Sequence, residues 1–153
     1  MKNKRTTLDS IDLDLLQVLQ EDARLTSDEL ARKINVSATT IRRRIRNLIR
    51  NDIIRIVAIA DPKKIGLSTV VGIHLELNPR TADRAAEELA RYKSVRSVSL
   101  TTGRFNCMAL AVFPSTDDFQ NFMRTVISNL EGLTTVETHI FLEFKKGKFI
   151  HGD

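Results

Sequence analysis

The segment SATTIRRRIRNLIR, Ser37 to Arg50, decides the fold of the first part of the chain. At helical period, Ile41, Ile45, Leu48 and Ile49 make one apolar stripe, while Thr39, Arg42, Arg43, Arg46 and Arg50 fall on another face. The spacing predicts an amphipathic helix that docks by its apolar side. Ser37 stands as N-cap, because its hydroxyl can accept a backbone N–H left free in the first turn. The segment holds five arginines and no acid. Their forked donors suit phosphate oxygens and guanine edges alike. A basic helix face more commonly means only a solvated surface, so what precedes the helix decides between the two.

Upstream, Asp9 caps a first helix in which Leu8, Ile11, Leu15 and Leu19 recur at spacings of three and four. Thr26 followed by Glu29 makes a capping box for a short second helix, TSDELARKI, with Leu30, Ala31 and Ile34 inward. Asn35 tolerates the left-handed conformation that ends a helix, so the second helix, a tight turn and the Ser37 helix form a helix-turn-helix. That context lifts the arginine face from solvated surface to candidate recognition surface.

The 153 residues are 42% hydrophobic, enough to bury a core in one domain or two small ones. No apolar run approaches membrane-spanning length, and MKNKRTTLD is not followed by a signal-peptide core, so the protein is expected to stay in the cytoplasm. A single cysteine, Cys107, excludes an internal disulfide, and three scattered histidines give no metal-site pattern; no cofactor is expected. The net charge of +5 is uneven. Residues 1–60 carry 12 basic against 8 acidic side chains, or +4, and residues 61–153 carry 12 against 11, or +1. This asymmetry predicts an N-terminal module for a polyanion and a nearly neutral second module.

After Asp52 the period shortens. IIRIVAIA, Ile53 to Ala60, reads as a strand, either a wing or a linker, and ends at Asp61-Pro62; Gly66 marks a bend. The remainder reads βαββαβ. Val71, Ile73, Leu75 and Leu77 alternate in a strand, residues 81–92 are helical, residues 95–102 and 106–113 make a hairpin across Gly103, and Ser115 or Thr116 caps a second helix. That helix carries Phe119, Phe122, Met123, Val126, Ile127 and Leu130 on one stripe. A last strand runs to Phe144, with Val136, Ile140, Leu142 and Phe144 inward. The expected fold class is α+β, a winged-type helix-turn-helix (residues 1–52), a linker strand or hinge (53–67) and a ferredoxin-like sandwich (68–153). The sheet's uncovered face is expected to carry His74, Ser97, Ser99, Cys107, Ala109, Ala111, His139 and Phe141, a mixture suited to packing against a second subunit.

LDSIDLDLLQVLQEDAR, ELARKINVSATTIRRRIRNL, DPKKIGL, TTGRFN and TTVETHIFLEFK, in this order from Leu8 to about Lys145, resemble the leucine-responsive and asparagine-responsive regulators, the Lrp/AsnC family. The resemblance implies a dimer that binds double-stranded DNA through its helix-turn-helix, a sandwich that assembles dimers into octamers, and an amino acid or other small effector between subunits. Matched onto this chain, the recognition positions are Ser37, Thr39, Thr40, Arg42, Arg43, Arg46 and Arg50. Thr39, Arg42 and Arg43 are candidates for base edges, and Ser37, Thr40, Arg46 and Arg50 for phosphate, with the arm Lys2, Lys4 and Arg5 assisting. Arg44 lies towards the docking side and is a candidate for snorkelling or a structural ion pair.

The matching effector positions are Thr102, Gly103, Arg104, Asn106, Thr138 and His139. The family usually has aspartate where this chain has Asn106, which removes a charge able to accept from a ligand's ammonium. Arg104 favours an acidic ligand or a ligand carboxylate instead. The family's glycine after the recognition helix is Asp52 here, which the left-handed region tolerates at modest cost. Thr102-Gly103 also fits a plain hairpin turn. Two alternatives stand beside the regulator: an enzyme resembling the siroheme decarboxylases, with Arg104, His74 and His139 handling carboxylates, and an effector-free architectural DNA-binding protein.

Overall fold

The computed structural model describes residues 7–145, and the chain divides into two compact units, Met1–Ala58 and Ile59–Asp153. The first unit is three helices, α1 (Ser10–Glu21), α2 (Ser27–Ile34) and α3 (Ala38–Arg50). Each begins on the residue its sequence supplies. Asp9 and Thr26 close capping boxes with Asp12 and Glu29, and the Ser37 hydroxyl accepts the Thr40 N–H. Asn35 takes φ 58°, the left-handed turn between α2 and α3, and the Val36 N–H reaches back to the Ala31 carbonyl at 3.1 Å. Asp52, at φ 54°, ends α3 in the same way: the Ile53 N–H donates to Leu48 and the Asp52 N–H to Ile49, a Schellman closure that the fold tolerates without glycine. Leu15, Leu19, Leu30, Ala31, Ile41 and Leu48 form the core, with Ile34, Ile45, Ile53 and Ile54 packed on it. Each fully buried aliphatic side chain there stabilises the unit by about 1.5–3 kcal/mol.

The strand expected over Ile53–Ala60 does not form: these residues join no ladder among the described residues. Ile53 and Ile54 are drawn into the helical core instead, and Ile56, Val57 and Ile59 are about half exposed. β-branched composition favours strand geometry, but a strand exists only where another strand edge lies beside it.

The second unit opens on a 3₁₀ turn, Pro62–Ile65, closed by Gly66 at φ 82°. It continues β1 (Thr69–Leu77), α4 (Ala82–Ala90), β2 (Val95–Leu100), β3 (Cys107–Phe113), α5 (Thr116–Thr125), a 3₁₀ turn Ile127–Asn129, and β4 (Leu133–Ile140). The sheet order is β2-β3-β1-β4 and every pairing is antiparallel, the βαββαβ sandwich expected. Val71, Ile73, Leu75 and Leu77 are buried against Leu89, Phe119, Phe122, Ile127 and Leu130. The last strand is shorter than expected. It ends at Ile140, opposite Val71, and after a final bond from the Phe141 N–H to the Val70 carbonyl the chain leaves the ladder. Ile140 and Leu142 are consequently exposed rather than inward.

The open face also differs. Ile73 lies opposite Ala109, so Cys107, Ala109 and Ala111 point into the helix-covered core, and Met108 and Leu110 take the open face beside His74, Ser97 and Ser99. β3 reads CMALAVF, apolar or small on both faces, and such a strand does not declare its phase.

Candidate functional site

α3 carries the first candidate site. Ser37, Thr39, Arg42, Arg43, Arg46 and Arg50 are exposed and Thr40 is half-buried, while Ile41 and Leu48 hold the opposite side in the core. The helix thus presents four guanidinium groups together without sacrificing its packing. Among the described residues, Arg43, Arg46 and Arg50 have no ion-pair partner, and Arg42 has a loose one, Asp28 at 3.9 Å. The Ser37 and Thr40 hydroxyls are 2.8 Å apart and the Thr40 N–H donates to Ser37, so this pair first builds the helix start. The arm Lys2, Lys4 and Arg5 lies outside the described residues.

Arg44 has a separate task. Its side chain is 16% exposed, and one terminal nitrogen donates to Asp9 Oδ1 and to Asp12 Oδ1, each at 2.8 Å. These bonds lock α3 onto the start of α1 and hold the Arg44 pKa above its ordinary value, the Asp12 bond first and the Asp9 bond second. The Asp9 carboxyl is held low chiefly by the Asp12 backbone N–H and then by Arg44. Arg44 is therefore structural, whereas its four neighbours face outward.

The second candidate site is the β2–β3 turn. The Thr101 N–H donates to the Asn106 carbonyl and the Thr101 hydroxyl to the Phe105 carbonyl, with Gly103 at φ 102° at the tip. Thr102, Gly103 and Arg104 are exposed. Arg104 lies over the Phe105 ring at 5.1 Å and 3.6 Å from Glu76. Asn106 is committed elsewhere: its Oδ1 accepts the Leu77 N–H and its Nδ2 donates to the Leu77 carbonyl, both at 2.8 Å. Thr138 and His139 are not brought together. Thr138 lies opposite Ile73 on the covered face, and His139 opposite Gly72 on the open one. His74, absent from the expected effector set, links turn and strand, its ring edge-on to Phe105 at 5.9 Å and to His139 at 5.1 Å. The alternation around Gly72 was the signal that places it there. His139 also lies 3.2 Å from Glu137. Cys107 is fully buried and burial pushes its thiol pKa up, which makes it a packing residue. No helix among the described residues is long and apolar enough to cross a membrane.

A capped helix-turn-helix with an exposed arginine face, followed by an antiparallel α+β sandwich, fits the class of two-domain DNA-binding transcription regulators. Residues 8–55 match the winged helix-turn-helix DNA-binding family profile and residues 68–148 the Lrp/AsnC ligand binding domain. The chain is 31% identical over 137 residues to the HTH-type transcriptional regulator LrpA of Pyrococcus horikoshii, covering 89% of this chain and 97% of that one. It is 31% identical over 140 residues to the uncharacterized HTH-type transcriptional regulator PF1231 of Pyrococcus furiosus, covering 91% and 95%. Among solved structures it resembles AsnC of E. coli, with TM-score 0.82, 25% identity and 94% and 98% coverage. The transcriptional regulator NMB0573 of Neisseria meningitidis in complex with L-Met gives TM-score 0.83 at 25% identity, covering 93% and 94%. This chain belongs to the Lrp/AsnC family.

Proposed function

We propose that this regulator reads DNA through the outer face of α3, with Thr39, Arg42 and Arg43 at base edges and Ser37, Thr40, Arg46 and Arg50 on phosphate. The single observation that carries this is the exposed arginine cluster on a helix whose opposite face is locked into a core by Ile41, Leu48 and the Arg44 pair. Unpaired guanidinium groups keep their donors for a ligand, and the first turns of a recognition helix reach deepest into the major groove. The protein works in the cytoplasm as a homodimer that assembles further into octamers, presenting paired recognition helices to half-sites about one helical turn apart. It carries out no catalysis.

A small effector acts at the β2–β3 turn, where Thr102, Gly103 and Arg104 are exposed and the adjoining Phe105 ring meets His74, which in turn meets His139 on β4, across β1. Arg104 supplies a cation for a carboxylate, while Asn106, spent on Leu77, offers an ammonium only an uncharged carbonyl. Binding shifts the oligomeric or DNA-binding equilibrium only by its difference in affinity for the two states.

Fluorescence anisotropy with the purified protein tests the DNA reading, using a duplex from its own upstream region and a shuffled duplex across a salt series. Tight, salt-dependent binding that favours the native duplex is expected. Equal binding to both duplexes contradicts sequence reading, and no binding to either at low salt overturns the arginine face as a DNA surface.

A further inference from the structure

The four outward arginines of α3 are not equivalent, and the difference lies on α2. Asp28, the second residue of α2, places Oδ1 3.9 Å from the Arg42 Nη2, with both side chains more than half exposed. Arg43, Arg46 and Arg50 have no such partner among the described residues. The first turn of α2 is also already supplied with negative charge, since Glu29 Oε2 accepts the Thr26 N–H at 2.7 Å and the Thr26 hydroxyl at 2.8 Å. The positive end of that helix, which alone would attract phosphate, faces two of the chain's own carboxylates. Between α2 and α3 lies a notch of about 290 Å³ lined by Ser27, Arg42, Ile45, Arg46 and Ile49, whose isoleucines offer no donor. Any anion entering there meets Arg42 and Arg46 on one side and Asp28 beside Arg42.

We propose that Asp28 is a specificity-determining positioning residue: it holds Arg42 away from the phosphate backbone and leaves it for a base edge. This rests on the proposed reading of the α3 face as the DNA surface. A phosphate brought to Arg42 is brought to the Asp28 carboxylate as well and pays like-charge repulsion. A neutral base edge does not. Arg42 paired with Asp28 also displaces little of the counterion atmosphere, so it adds little to sequence-independent affinity. The consequence is lower affinity for random DNA and a larger preference for the operator.

The test uses the full-length protein and its Asp28→Asn, Asp28→Glu, Arg42→Ala and Asp28→Asn/Arg42→Ala variants on native and shuffled duplexes from about 50 to 200 mM salt. Asp28→Asn is expected to bind the shuffled duplex about fivefold more tightly at low salt, to steepen the salt slope by about 0.9, and to lower the native-to-shuffled ratio. Asp28→Glu keeps the charge and is expected to bind as the unmodified protein does. Arg42→Ala should weaken shuffled binding more in the Asp28→Asn background than alone, a coupling that a purely structural role of Asp28 would not produce. Unchanged affinity, slope and ratio in Asp28→Asn, alongside weakened binding in Arg43→Ala and Arg46→Ala, overturns the proposal and leaves the helix face standing. If Arg42→Ala, Arg43→Ala and Arg46→Ala all bind as the unmodified protein does, the helix face itself fails and the proposal falls with it.

Discussion

Arg44 Nη1 lies 2.8 Å from Asp12 Oδ1, and both side chains are 16% exposed. The pair fastens α3 to α1 at a point where the basic helix could otherwise roll on its apolar stripe. Arg44→Met keeps the aliphatic stem but leaves the half-buried Asp12 carboxylate without its cation. A loss of about 2 kcal/mol in unfolding free energy is expected, between the values for exposed and buried pairs. Urea denaturation followed by circular dichroism measures it, and an unchanged midpoint would mean that the pair contributes nothing.

Acid should loosen the same junction. The Asp9 carboxyl is held below its ordinary pKa by the Asp12 N–H and by Arg44. A depressed folded-state pKa contributes stability that is fully present above the unfolded value and is lost as pH falls through the folded one. Thermal melts from neutral pH down to about pH 3 should show stability decreasing below roughly pH 4, and Asp9→Asn should flatten part of that decrease. The same acid dependence in both proteins would exclude Asp9 as a contributor.

Asn106 closes the end of β1 by answering both backbone groups of Leu77. Asn106→Ala removes both partners from a residue that is 2% exposed, at an expected cost of about 2 kcal/mol to the second unit. Asn106→Asp keeps the bond from the Leu77 N–H and sets a carboxylate against the Leu77 carbonyl, so it should also destabilise. Chemical denaturation of the two variants checks this, and stability equal to the unmodified protein in Asn106→Ala would contradict it.

The helical unit was legible because its signals are local. Asp9, Thr26 and Ser37 cap within three residues, Asn35 and Asp52 turn the chain at single positions, and the arginine face follows from period alone. What the sequence concealed depended on partners far along the chain. Ile53–Ala60 has the composition of a strand but joins no edge among the described residues, and β3 is too uniformly apolar to reveal which side Cys107 takes. The ion pairs of Asp12 with Arg44 and of Asp28 with Arg42 lie between helices, which periodicity within one helix does not encode. At the turn, TTGRFN marked the place, but the capture of Asn106 by Leu77 spans 29 residues.

The most direct measurement of the central claim is the ratio of native-duplex to shuffled-duplex affinity for Arg43→Ala, taken beside the unmodified protein at one salt concentration. If the α3 face reads sequence, Arg43→Ala should lose about 1–3 kcal/mol of discrimination on the native duplex and far less on the shuffled one. A variant that weakens equally on both duplexes would assign Arg43 to phosphate, and one that binds both as the unmodified protein does would contradict the account of this helix as the recognition element.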